Sequence, residues 1–253
     1  WPLGLSHWAF TIMEPALRWI LAVAARIASM PGATDHVPSP PNGTLGLVAI
    51  GGLILILWRG RGRWTGLLPL ALAANLWAGA ERPTLLVSDT GRLAGALTAE
   101  GRALSRARGE GFVAGVWLEN DGDGATQEEA AARRAWAEDG PGMSTRTAGI
   151  RVWHGAGRRA LTGAAAACNR HDLVILSETA EDAEPAFRVE RPDASGEHPA
   201  VGAANAASKG NEGTDCLVID ATFLAETGAV SLHLRGGELR VQTARQMQGE
   251  RLW

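Results

Sequence analysis

Two apolar runs dominate the front of the chain. Gly43 to Trp58 (GTLGLVAIGGLILILW) and Gly66 to Ala80 (GLLPLALAANLWAGA) contain no charge and no polar stripe at helical spacing. A helix that faces water needs such a stripe. The pattern predicts two helices covered on all sides, by lipid or by the inside of a large helical bundle. Sixteen and fifteen residues give about 24 and 22 Å of helix, whereas a bilayer core takes about 30 Å. Trp58, Trp64 and Trp77 stand near the ends of the runs, where a membrane-interface belt places aromatic rings. Arg59, Arg61 and Arg63 separate the runs, with no acid among them. The pattern favours a membrane hairpin over 43–80. Its short arginine-rich tip is expected on the cytoplasmic side, with Arg59, Arg61 and Arg63 setting the topology. A pair of helices buried in a globular domain is the alternative.

Residues 8–30 carry a helical pattern of another kind. Thr11, Glu14, Arg18, Ala22, Ala25 and Ser29 share one face, and Ile20, Val23, Ala24 and Ile27 the other. This predicts an amphipathic helix lying in a membrane interface, or one packed on a core. Pro31–Gly32 ends it, and a Pro-rich link over 35–42 follows. After Pro83 the pattern changes to short strands, turns and a few helices. Phe112 to Leu118 (FVAGVWL) reads as a strand and Thr126 to Glu138 as a helix, opened by a capping box of Thr126 and Glu129. Leu161 to Arg170 reads as a helix. LVIL at 173–176 and LVID at 217–220 read as buried strands, and 230–234 with 239–243 as a closing hairpin across Gly236–Gly237. Glu178 to Asp215 has few large apolar residues and predicts a flexible insertion. Three regions result: 1–42, an interfacial helix and link; 43–80, the hairpin; and 81–253, an external α/β domain.

Charge sharpens that division. Residues 1–80 hold five arginines against two acids, and the rest holds 19 basic against 25 acidic residues. The acidic back argues against a general nucleic-acid surface, which needs a basic footprint. All but one of the 24 basic residues are arginine, Lys209 being the exception, and Tyr is absent. That bias lowers the weight of any one arginine. The chain opens on Trp1 inside apolar sequence and is expected to be a piece of a longer protein.

Candidate chemistry is sparse. Gly155-Ala156-Gly157 follows a strand and opens a helix, as a dinucleotide fingerprint does. No acid ends a second strand about 20 residues on, and a glycine turn explains the run as well. Asp121-Gly122-Asp123-Gly124 has too few oxygens after it for a calcium loop. The six histidines show no metal-ligand spacing, there is no Cys-x-x-Cys, and no cofactor is expected. A metal site built from scattered Asp89, His154 and His171 is the enzymatic alternative. Cys168 and Cys216 each precede an apolar strand. If those strands are parallel neighbours the sulfurs meet, so the pair is a disulfide candidate, or else two buried thiols.

The order of elements resembles the ComEC family of competence proteins. LRWILAVAARIASMPGA (17–33) is similar to the segment before the family's last membrane spans, and GLVAIGGLILILWRGRGRWTGLLPLALA (46–73) to those spans. RPTLLVSDTGRLAGAL, GVWLENDGDG, CNRHDLVIL and CLVIDATFLAETGAVSLHL resemble the C-terminal external domain. The resemblance implies membrane helices followed by an α/β domain with a degenerate metallo-β-lactamase-like fold. It implies part of an inner-membrane channel passing single-stranded DNA in natural transformation, with lipid, DNA and other competence proteins as partners and 81–253 in the periplasm. The family's His-x-His-x-Asp-His motif is missing from this sequence, so the resemblance carries no catalytic residue. A membrane-tethered metal-dependent hydrolase, or the external domain of another transporter, is the rival.

Overall fold

The computed structural model describes residues 5–30, 36–183, 189–192, 197–198, 216–235 and 238–248. Trp1–Val37 form one compact unit and Pro38–Trp253 another. The first contains α1 (Leu5–Ala28), 24 residues with Pro15 inside. Glu14 and Arg18 pair at 2.6 Å across one turn, while Leu17, Ile20 and Leu21 are exposed on its surface.

The second unit opens with a hairpin. Helix α2 (Thr44–Leu57) leads through a 3-10 turn (Arg61–Gly66) into α3 (Leu67–Ala78). The helices approach closely at two glycines: a Cβ on Gly51 would lie 2.8 Å from the Gly66 carbonyl oxygen, and one on Gly66 would lie 2.6 Å from that of Gly51. Trp77 Nε1 donates to the Pro38 carbonyl, and Ser39 N to that of Asn120, tying the hairpin and its link to the rest.

The expectation of membrane helices is overturned here. No described helix is long and apolar enough to cross a membrane. The reason lies in the hinge. Trp58 is extended and Gly60 has φ 88°, so the arginine segment breaks α2 instead of lengthening it. Fourteen and twelve residues give about 21 and 18 Å. α1 is long enough but carries Glu14, Arg18 and Arg26.

The remainder is α/β. Its strands are β1 (Leu85–Val87), β2 (Ala94–Thr98), β3 (Gly101–Leu104), β4 (Ala137–Asp139), β5 (Gly142–Thr147), β6 (Ile150–Gly155), β7 (Leu173–Leu176), β8 (Glu197–His198), β9 (Leu217–Ile219), β10 (Val230–Arg235) and β11 (Glu238–Thr243). Its helices are α4 (Gly111–Asn120), α5 (Gln127–Ala131), α6 (Arg158–Cys168), α7 (Ala221–Thr227) and α8 (Ala244–Gln248). One antiparallel sheet runs β3-β2-β1-β10-β11-β8, and a mixed sheet runs β4-β5-β6-β7-β9, with β6, β7 and β9 parallel. Alternation assigns the faces. Leu85, Val87, Val152, Leu173, Ile175 and Ile219 fill the core between the sheets. Trp153, Val174, Leu176 and Val218 point the other way, onto the small residues of α6. Leu93 and Leu104 meet Ala114 and Leu118 of α4 and Ala130 of α5.

FVAGVWL is helical, not a strand. Gly109 (φ 89°) and Glu110 (φ 55°) turn the chain into α4, and its buried residues, Ala114 and Leu118, are four apart, a helical spacing. The capping box of Thr126 and Glu129 is formed, but α5 stops at Ala131 and β4 follows within the stretch expected to be helix. Helix α5 and its neighbours guard the open edge of β3: Arg133 Nη1 donates to the Arg102 carbonyl and Trp136 Nε1 to that of Ala103. Within 178–215, the described residues include a 3-10 turn at Ala180–Asp182, the strand β8, and Arg191, which binds the buried Asp220 at the start of α7. Residues 184–188, 193–196 and 199–215 of that stretch, Gly236–Gly237 and Asp35 lie outside the described residues.

Candidate functional site

The carboxyl ends of β6 and β7 meet the turn between β1 and β2 and the start of α4. Open α/β sheets place ligand crevices outside their strand ends in this way. Each part is held by a specific residue. Gly91 (φ 66°) lies against β7, where a Cβ would meet the Leu176 carbonyl oxygen at 2.6 Å. Its own carbonyl accepts a hydrogen bond from His154 Nε2 at 2.9 Å. Thr90 Oγ1 donates to Glu110 Oε1, and Glu110 Oε2 is buried without a hydrogen-bond partner. The Gln127 side-chain amide donates to the Arg106 and Gly109 carbonyls and fixes the loop before α4. Gly157, which caps α6, gives its N–H to Ser177 Oγ at 2.7 Å.

Beside this junction is an open cleft of about 730 Å³. Arg106, Arg159, Glu138, Ser105, Thr162 and His154 contribute to its walls. One wall is the turn between β4 and β5, and it is fixed by close backbone approaches. A Cβ on Gly142 would lie 2.5 Å from the Trp153 ring, and one on Gly163 would lie 2.5 Å from the Pro141 ring. His154 is 2% exposed and stands edge-on to Trp136, ring centroids 6.0 Å apart. Burial pushes its pKa down to about 4 against the pull of the Gly91 bond; Arg106 adds to the depression and Glu110 opposes it. The ring is therefore neutral at pH 7, with its proton on Nε2 because a carbonyl can only accept. The two guanidinium groups and the Ser105 hydroxyl form a set suited to holding an oxyanion, while His154, whose one proton goes to Gly91, serves as a neutral wall.

The scattered metal triad does not come together. His154 is at the carboxyl end of β6, paired with Ile175. His171 precedes the opposite end of β7, where Nδ1 contacts the Ala167 carbonyl and Nε2 lies 3.3 Å from Asp139. Asp89 is exposed in the turn between β1 and β2. Among the described residues no group of three or more His, Cys, Asp or Glu could hold a metal ion.

Cys168 and Cys216 are brought together. They form a disulfide with Cα atoms 5.3 Å apart, linking the end of α6 to the start of β9. Arg59, Arg61 and Arg63 are exposed in the hairpin turn, with the Arg63 guanidinium 5.4 Å from the Trp64 ring centroid. Arg106, Arg159 and Glu110 were missed in the sequence. The signal for one of them was Arg158-Arg159 directly after the glycine turn.

No family model, curated protein or solved structure matches the chain. Neither the family resemblance nor a metallo-β-lactamase-like fold for the C-terminal part has a match behind it.

Proposed function

We propose that the chain is the C-terminal part of a ComEC-like DNA-uptake protein of the bacterial inner membrane, with residues 81–253 on the periplasmic side. The observation that carries this reading is the exterior of the α2–α3 hairpin. Leu45, Ile56, Leu57 and Leu68 are each more than 70% exposed, and such a surface calls for an apolar partner. Lipid meets that need, and the turn bearing Arg59, Arg61 and Arg63 suits anionic headgroups. The Cys168–Cys216 bridge adds the compartment, because disulfides persist where thiols are not kept reduced. DNA as cargo comes from the resemblance alone.

The test is genetic. In a naturally transformable host carrying the full gene, an in-frame deletion of residues 81–253 lowers transformation while DNA still adsorbs to the cells. Unchanged transformation overturns the reading.

A further inference from the structure

We propose that the cleft between Arg106 and Arg159 is a binding site for a phosphate-type oxyanion. The first observation is what these arginines lack. Arg102, Arg133, Arg151, Arg170 and Arg191 are each paired with a carboxylate. Arg106 and Arg159 make no side-chain hydrogen bond or ion pair to any described residue, although both line the same cavity. Guanidinium groups present planar donor forks that match phosphate oxygens.

The second observation is the balance of the lining. Among the described residues Glu138 is the one acid in the cleft, against two guanidinium groups. His154 adds no charge at neutral pH. Ser105 Oγ accepts from the Ala94 amide and keeps its own hydrogen to donate. The first turn of α6, eleven residues long, starts at the cleft, and the leading amides of a helix have no intrahelical acceptor.

The third observation is rigidity. The wall at Gly140–Gly142 is locked by Pro141 against Gly163 and by Gly142 against Trp153. The cleft is thus largely formed before a ligand arrives, and its volume lies in the range of small-molecule sites. The shared chemistry is the phosphoryl oxygen. Its source is a free phosphate or the backbone of a nucleic acid, and the site stands whether or not the DNA-uptake reading holds.

Titration calorimetry of the chain with inorganic phosphate, and separately with a short single-stranded oligonucleotide, tests the site. Arg106→Gln and Arg159→Gln are exposed changes, checked for an unaltered fold by circular dichroism. Each is expected to weaken binding about tenfold or more, the usual loss for one charge-assisted hydrogen bond. Glu138→Gln is expected to tighten it, which a merely structural role does not predict. Phosphate binding with this pattern assigns a free anion. Oligonucleotide binding alone with this pattern assigns a nucleic-acid backbone. If neither ligand binds, or if binding is indifferent to all three substitutions, the proposal is overturned. Loss of transformation without phosphate or oligonucleotide binding leaves the uptake reading standing and removes this site.

Discussion

The carbonyl oxygen of Gly91 lies 2.9 Å from Nε2 of His154, a hydrogen bond that joins the β1–β2 turn of one sheet to the end of a strand in the other. It fixes the tautomer of a ring whose burial makes the fold sensitive to acid.

The sign of that sensitivity follows from the depressed pKa. Below 6.5 an unfolded histidine gains a proton, while His154 resists it until about 4. Stability is therefore full above pH 6.5 and falls as the pH drops towards 4, on the order of 3 kcal/mol from this ring. His233, also depressed by burial, acts in the same direction. Asp123 and Asp220, held below 3.8, act only under more acidic conditions. Urea unfolding at pH 7 and pH 4.5 reads the effect. His154→Gln keeps a donor for Gly91 and is expected to flatten most of the slope; an unchanged slope assigns it elsewhere.

Arg102 and Asp121 form a second cross-link of high consequence. The guanidinium is fully buried, and its nitrogens reach both Asp121 oxygens, at 2.5 and 3.2 Å, as well as the carbonyls of Gly95 and Pro83. Removing one partner strands a buried charge. Asp121→Leu is expected to cost about 3–5 kcal/mol. Arg102→Met combined with Asp121→Leu is expected to cost less than the single change, because no unpaired charge is left. Denaturant midpoints for the three proteins decide it.

The bridge between Cys168 and Cys216 closes a loop across 48 positions. A loop of that size contributes about 4 kcal/mol in the chain-entropy model. Reduction is expected to lower the unfolding midpoint by a corresponding amount. The Cys168→Ala, Cys216→Ala double variant should show the same loss and no response to reductant. A midpoint equal with and without reductant, in protein shown to be oxidised by mass, excludes a stabilising role.

Much of the back half was legible because its cues are local. LVIL and the first three residues of LVID are unbroken β-branched and leucine runs, and all four residues of LVIL are buried. Thr126 and Glu129 are three apart and form the expected box. FVAGVWL misled because its residue types suit a strand, while the helix depends on Glu110 adopting a left-handed conformation. The hairpin read correctly as two short helices but wrongly as a membrane span, since the extended Trp58 ends α2 before the arginines. The cleft was not legible. Arg106 and Arg159 are distant in sequence, and in a chain whose cations are almost all arginine neither stands out. The loop after β3 carries Arg106 and the crossover from β6 into α6 carries Arg159 to one cavity, walled by the β4–β5 turn locked on Trp153.

The arginine turn gives the last prediction. Arg59, Arg61 and Arg63 are exposed at the end of an uncharged hairpin, and none forms an ion pair with a described residue. A cation near an anionic leaflet contributes about 1 kcal/mol. Replacing all three with Gln should then weaken binding to phosphatidylglycerol-containing vesicles by about a hundredfold. Binding to neutral vesicles depends on the apolar exterior of α2 and α3 and should change little. Opening the hairpin isolates that second part. Gly51→Leu places a side chain where even a Cβ would meet the Gly66 carbonyl oxygen at 2.8 Å, and so should alter binding to both kinds of vesicle. Co-sedimentation across a salt series reads both effects, because the arginine share is screened and the apolar share is not. Equal binding of the triple-Gln variant and the unaltered chain to anionic vesicles at low salt would exclude the headgroup role.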